Sequence, residues 1–359
     1  MMSPVVIDLT GAPYDRGRVH GERARTLIHD GIVAWREALG SKHEDVDAYL
    51  ARFLGETDFV RSIERHTPQV LEEVHGIADG AGVDRQTIYA FQLMDEEWCF
   101  EQRERQGAGR AHHCTSVGVM AEGARPLVAM NLDLPAHVAG TQVVLRIHGD
   151  GDEPSVLALA VAGRAADTGC NETGVAVVVN ALGDVPSAAV GLPVVFVIRG
   201  ILAQGSLAAA RDFVERVPHA SGQNYLMGDP EGICDLECSS EGAIEYAPDS
   251  PIVHTNHALA PAPGARSAVE STASSRDRLG FVEAALGSGA ADPITWNDVG
   301  AALGDRTVPV CRVPTAADPW ITFGTVIMEL DTPPGFRLAI GHPSEAGFEE
   351  VGFARERSP

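Results

Sequence analysis

A Cys-Thr-Ser triplet opens an alternating small and apolar run, Cys114-Thr115-Ser116-Val117-Gly118-Val119, and no other feature constrains the fold as much. A glycine-bearing turn at Glu122-Gly123-Ala124 follows, then a second apolar run that delivers Asn131 and Asp133. Two such runs around a short turn predict a β-hairpin. The antiparallel return brings the end of the second strand beside the start of the first, so Cys114 and Asp133, nineteen residues apart, are expected to be spatial neighbours. A thiol beside a carboxylate is a nucleophile with a support. The plainer reading of the same run makes Cys114 a small buried hydrophobe.

With 359 residues and 45% hydrophobic composition, the chain can bury one large core or two ordinary ones. Cys99, Cys114, Cys170, Cys234, Cys238 and Cys311 form no ladder, and Cys234 and Cys238 do not have a CxxC or zinc spacing. Free thiols are expected, and no metal or cofactor. The opening, Met1 to Asp8, has no basic segment leading into an apolar helix, and no apolar run approaches ~18 residues. A cytoplasmic protein is the expectation. The formal charge of -23 disfavours nucleic acid and anionic membrane as partners and mildly favours amine-bearing small molecules. A general acidic bias for solubility explains the same charge.

Taken in order, residues 5–9 read as a strand. One helix is expected from residue 14 to about 39, with Ile28, Ile32, Trp35 and Leu39 at helical spacing, and Gly17 and Gly21 placed for close helix approach. Two or three further helices follow through Glu96, with breaks near Ser41, at Thr57 and at Gly82-Val83-Asp84. Residues 103–110 are polar and glycine-punctuated, which suits a surface loop or a segment to be cut. Strands are expected at 142–147, 155–161 and 175–180, at 223–238 around an Asp229-Pro230-Glu231-Gly232 turn, and at 322–330 and 336–340. A helix is expected at 207–216, and 258–265 reads as a long loop.

Two polar stretches stand out. Asn171 lies in Gly169-Cys170-Asn171-Glu172-Thr173-Gly174-Val175, where an Asx turn is one reading. His254-Thr255-Asn256-His257 offers two histidines, but spacing supplies no third metal ligand. A papain-like pair of Cys114 with His254 is an alternative, although such enzymes place the Cys at a helix start and this one begins a strand. A non-catalytic small-molecule-binding protein is a further alternative.

The Cys-Thr-Ser hairpin with its Asn-Leu-Asp return, the Gly-x-Asn-Glu-x-Gly-Val segment, His-x-Asn-His, and a Gly-Ala-Pro-x-x-x-Gly-x-x-x-Gly opening resemble the N-terminal-nucleophile (Ntn) hydrolases of the acyl-coenzyme A:6-aminopenicillanic acid acyltransferase type. So does residues 71–82, with its Glu-x-x-Gly-Ile-Ala. The resemblance implies an α+β fold of four αββα layers, two mostly antiparallel sheets flanked by helices. It implies autoproteolysis between His113 and Cys114, giving a helical 1–113 chain and a catalytic 114–359 chain that stay associated as one compact unit. Cys114 is then the mature nucleophile, Asp133 orients its α-amine, Asn256 serves the oxyanion, and Asn171 approaches substrate or oxyanion. His254 has a supporting place. The family's late arginine has two candidates, Arg276 and Arg312, and Ser274 or Ser275 is expected to cap the helix that follows. His113 departs from the usual Gly-Cys. The reaction implied is hydrolysis or transfer of an acyl group from a small-molecule amide or thioester, with water or an amine as acceptor.

Overall fold

The computed structural model describes residues 4–105, 113–120, 125–151, 153–260, 273–287, 293–316 and 318–354. Strand β1 (Val5–Leu9) precedes seven helices, α1 (Pro13–Arg23), α2 (Arg25–Gly40), α3 (Val46–Gly55), α4 (Val60–His66), α5 (Pro68–Ala81), α6 (Arg85–Gln92) and α7 (Met94–Arg105). The hairpin β2 (Thr115–Val119) and β3 (Leu127–Pro135) follows, then β4 (Gln142–Ile147), β5 (Val156–Val161), β6 (Thr168–Asn171) and β7 (Ala176–Ala181). Next come α8 (Val194–Leu202), α9 (Leu207–Arg216), β8 (Gln223–Asp229), β9 (Gly232–Ser239), β10 (Gly242–Glu245) and β11 (Ile252–His254). The described chain closes with α10 (Ala273–Leu286), α11 (Trp296–Leu303), β12 (Trp320–Glu329), β13 (Gly335–Ala339), α12 (Pro343–Ala346) and β14 (Glu349–Val351).

The strands form two sheets. An eight-stranded sheet runs β1-β4-β5-β6-β7-β8-β9-β10 and a six-stranded sheet runs β11-β2-β3-β12-β13-β14. Among the described strands every pairing is antiparallel except β1 with β4. Residue alternation in the hairpin decides the layering. Val128, Met130 and Leu132 join the large core against the eight-stranded sheet, and Val117, Val119, Leu127 and Ala129 join a second cluster with Val282 and Leu286 of α10 and Val299 and Leu303 of α11. Gly118 marks the inner face, because a Cβ there would lie 3.1–3.2 Å from Ile233 and Leu226 of the facing sheet. On that facing sheet Gly232 points the other way, toward Leu207 of α9. The result is the expected four-layer αββα sandwich.

The first hundred residues differ from expectation in detail. The single helix of 14 to 39 is two, α1 and α2, because Ala24 leaves helical geometry (φ -100°, ψ 12°). Five further helices follow where two or three were expected. Helix α1 crosses α5 almost backbone to backbone: a Cβ on Gly17 would lie 1.9 Å from the Glu73 carbonyl oxygen, and one on Gly76 would lie 2.1 Å from that of Tyr14. The two glycine-bearing stretches of the opening are thus one packing joint. Strand β1 adds to the edge of the eight-stranded sheet, so this region is woven into the sandwich. The hairpin turn at 122–124 lies outside the described residues, as do 106–110 of the polar segment and 261–265 of the long loop.

Candidate active site

The β2–β3 register pairs Thr115 with Asn131 and Val119 with Leu127, which carries Cys114 to the level of Leu132 and Asp133. Cys114 Sγ lies 3.6 Å from the Asp133 carbonyl oxygen, on the inner side of the sheet. The Asp133 side chain points to the outer side. There Thr322 Oγ1 donates to Asp133 Oδ1 at 2.6 Å, and the same hydroxyl accepts the Arg312 backbone N–H at 2.8 Å. Thr322 stands directly across from Asp133, and the β12 register shifts immediately after it, between Thr322 and Gly324. Bulges of this kind re-aim side chains beside functional sites. Asp133 Oδ2 accepts no hydrogen bond; its nearest cationic atom is Arg312 Nε at 3.6 Å.

A residue not among the sequence candidates ties the site together. Arg278, fully buried on α10, donates from Nη1 to the Cys114 carbonyl at 2.5 Å and to Thr115 Oγ1 at 2.9 Å, and from Nη2 to Asn256 Oδ1 at 3.0 Å. Asn256 Nδ2 in turn donates to the Ala181 carbonyl at 3.0 Å, and its backbone N–H to Ser275 Oγ at 2.8 Å. One guanidinium therefore spans the carbonyl of the candidate nucleophile and the candidate oxyanion side chain. Arg312 adds its Nη2 to Ser274 Oγ at 2.8 Å and pairs with Asp318.

The other candidates lie elsewhere. Arg276 is exposed on α10, since two residues along a helix is about 200° of rotation from Arg278. Ser274 and Ser275 sit inside α10 and not at its cap. Asn171 is the Asx turn: Oδ1 accepts from the backbone N–H groups of Thr173 and Val175 and from Thr173 Oγ1, and Nδ2 donates to the Leu202 and Gln204 carbonyls. It does not line the Cys114 cleft. His254 has Nε2 2.9 Å from Glu237 Oε1 and Nδ1 2.9 Å from the Thr255 carbonyl, so both ring nitrogens are engaged away from Cys114. His257 Nδ1 meets Ser275 Oγ at 2.8 Å. Among the described residues no group of three or more His, Cys, Asp or Glu is arranged to hold a metal ion. None of their helices is long and apolar enough to cross a membrane. His113 is buried, its ring edge-on to Trp320 at 5.0 Å.

A cleft of about 410 Å³, counted out to open solvent, lies at the Cys114 end of the space between the sheets. Leu132, Leu134, Val179, Val194 and Ile198 supply apolar wall, and Asp95, Asp133, Arg164, Asp167 and Gln223 supply polar wall. Burial dominates the electrostatics. It pushes the Cys114 thiol up to about 12, and the Asp133 charge adds to this. It pushes Asp133 up to about 7 against the pull of the Thr322 hydrogen bond, Arg278 and Arg312. Arg278 is brought down to about 10 by burial, with Asp133 resisting. The carboxylate is thus the group poised near neutrality, and the thiol needs a base.

The family model of acyl-coenzyme A:6-aminopenicillanic acid acyl-transferase matches residues 121–319, just over half of the chain. This chain belongs to that family, and with it to the enzymes that hydrolyse or transfer acyl groups at C–N bonds. The matched span holds Asp133, Asn256, Arg278 and Arg312 and begins after Cys114. Among solved structures, the chain is similar to a variant of conjugated bile acid hydrolase from Clostridium perfringens at 13% identity and a TM-score of 0.44, over 68% of this chain and 99% of that one. It is also similar to the Caenorhabditis elegans ortholog of N-acylethanolamine-hydrolyzing acid amidase, at 14% identity and a TM-score of 0.42, over 60% and 92%. Penicillin V acylase from Agrobacterium tumefaciens shares 12% identity at a TM-score of 0.38, over 63% and 83%.

Proposed function

We propose that the protein is a self-processing cysteine amidohydrolase or acyltransferase that works through an acyl thioester on Cys114. The observation that carries this reading is the convergence of Cys114, Asp133, Asn256 and Arg278 around one strand start. In the precursor, the Cys114 thiol gives up its proton and its sulfur attacks the His113 carbonyl carbon. The C–N bond to Cys114 breaks as the C–S bond holds, the proton passes to the departing nitrogen, and water then hydrolyses the thioester. The products are residues 1–113 ending in a carboxylate and 114–359 beginning with a free α-amine. That amine, with a reference pKa near 8, is a usable base beside its own thiol at neutral pH. Asp133, with Oδ2 accepting no hydrogen bond at the strand end, suits the role of holding its ammonium form.

In the mature enzyme, the α-amine takes the thiol proton as sulfur attacks the substrate acyl carbon, and returns it to the leaving nitrogen. Asn256 Nδ2 and a backbone N–H stabilise the oxyanion, while Arg278 holds Asn256 by its oxygen and so fixes which end of the amide faces the substrate. Water or a small amine then takes the acyl group. Acyl amides are the substrate class, with thioesters as further acyl donors. The helical 1–113 chain is expected to stay bound after cleavage, because β1 is hydrogen-bonded to β4 along five residue pairs.

Intact-mass analysis of the purified protein tests the processing. Two species matching 1–113 and 114–359 that co-elute in gel filtration are expected, and a single uncut chain for Cys114→Ala. A fully active enzyme that persists as one chain would overturn it.

A further inference from the structure

Two hollows meet at Asp95. One is the Cys114 cleft; the other is a narrow hollow with Cys99, Gln102 and Gly183 in its wall. Asp95, Trp98, Ala181 and Gln223 line both. The mechanism above uses neither Asp95 nor Gln223.

Two acceptor oxygens there, Gln223 Oε1 and Glu96 Oε2, have no donor, and Arg164 Nε has no acceptor. Gln223, 1% exposed, donates from Nε2 to Asp95 Oδ1 at 3.1 Å. A carboxylate oxygen only accepts, so the amide orientation is fixed and Gln223 Oε1 is left buried with no hydrogen-bond donor. Arg164 is the cation of this wall, and two carboxylates share it: its Nη1 is 3.1 Å from Asp167 Oδ1, and its Nη2 only 3.8 Å from Asp95 Oδ2. Next along α7, Glu96 accepts from Ser221 Oγ and the Val194 N–H through Oε1, and its Oε2 accepts nothing. Burial raises the Asp95 pKa and the Asp167 charge adds to it, as expected of a carboxylate whose compensating cation is shared.

We infer that Asp95 and Gln223 form a subsite for a protonated primary amine on the acyl portion of the substrate, which makes aminoacyl amides the preferred acyl donors. The inference rests on the Cys114 thioester reading, since that bond keeps the acyl portion in the cleft while the leaving amine departs. An ammonium fits what the wall lacks. It carries three donors and one positive charge, enough to meet Asp95 Oδ2 and Gln223 Oε1 together and to balance the second carboxylate on Arg164. A hydroxyl would bring one donor and no charge.

The test compares 6-aminohexanoyl p-nitroanilide with its neutral isostere heptanoyl p-nitroanilide, and 4-aminobutanoyl with pentanoyl p-nitroanilide, on the full processed protein. A kcat/KM preference of about 10- to 100-fold for the better-fitting aminoacyl member is expected, the size of one charge-assisted hydrogen bond. Asp95→Asn should bring the ratio to about one, and Gln223→Met should lower it several-fold. Wild-type ratios of one or below for both pairs, or a ratio that survives Asp95→Asn, would overturn the subsite. A neutral probe that still leaves its acyl mass on Cys114 in that case would show the thioester reading intact. If no probe acylates Cys114, the thioester reading fails and calorimetry on Cys114→Ala decides the subsite. Tighter binding of 6-aminohexanamide than heptanamide supports it, and equal affinity overturns it.

Discussion

The α1–α5 joint and the Cys114 strand start are both tightly packed and both bury polar atoms without a hydrogen bond, Arg16 Nε and His20 Nδ1 at the joint and Asp133 Oδ2 at the strand start, yet they treat their carboxylates in opposite ways. At the joint, Gly17, Gly21, Gly76 and Gly80 let two helices meet at their backbones, and the buried Glu73 carboxylate beside it is held by both Nη atoms of Arg199 at 2.6 and 2.9 Å. At the Cys114 strand start, Asp133 keeps one oxygen that accepts no hydrogen bond and a pKa pushed up to about 7. Folding alone gives no reason to bury a carboxylate half-satisfied, because the missing hydrogen bond costs on the order of 1–3 kcal/mol. Asp235 and Glu237 also bury oxygens without a hydrogen bond, so it is the neighbouring Cys114 that separates a motif serving chemistry from one serving packing, a distinction the residue types do not carry. Asn171 and Asn256 show it in one residue type.

The largest effect is expected where one side chain links several site atoms. Arg278→Met removes the donors to Cys114, Thr115 and Asn256 and should reduce turnover by about 10²-fold or more, at 1.5–3 kcal/mol per charged hydrogen bond. Arg276→Met, two residues away on the exposed face, should stay within about twofold. Comparable losses for both in steady-state assays would show that the helix matters and not the guanidinium at the site.

The two asparagines should part in kind as well as size. Asn256→Ala should lower kcat by roughly 10²- to 10³-fold with a smaller change in KM, as for loss of an oxyanion donor. Asn171→Ala should instead cost a few kcal/mol of stability in a denaturant titration, by leaving buried backbone groups unpaired, with kcat of the folded protein close to wild type. A kinetic defect without a stability defect in Asn171→Ala would move that residue into the site.

A smaller effect concerns pH and stability. Asp133 binds its proton more tightly folded (pKa about 7) than an ordinary aspartate carboxyl does at 3.8, so its contribution is fully present below pH ~4 and is lost as pH rises through 7. In the uncut Cys114→Ala background, Asp133→Asn should therefore gain stability relative to its parent between pH 4 and 8, by a few kcal/mol at most. Urea midpoints at pH 4, 6 and 8 check the sign. A gain confined to low pH would mean that Asp133 is ionised and well compensated in the fold.

Much of this was legible in the chain. The alternation after Cys114 sets the hairpin register, and register alone places Cys114 beside Asp133. Gly17 and Gly21 announced close helix approach, although their partners Gly76 and Gly80 lie too far along the chain for spacing to pair them. Residue type alone does not separate Arg278 from Arg276, since both lie in one short segment. Helical phase held the answer: Ser275, Arg278, Val282 and Leu286 fall on one buried stripe, and Arg276 falls opposite. The Thr322 bridge to Asp133 and Arg312 was beyond reach, since it depends on a bulge between Thr322 and Gly324 that no residue pattern marks. The split of the first long helix at Ala24 was also silent, because alanine is a good helix former and tertiary packing overrode its propensity.

The most direct measurement is peptide mapping of the enzyme quenched during turnover of an acyl amide. An acyl mass increment is expected on the peptide that begins with Cys114, bound to sulfur, discharged by hydroxylamine and absent from Cys114→Ser. An increment on another residue, or turnover by processed enzyme with no increment on Cys114 at any quench time and full activity in Cys114→Ser, would contradict it.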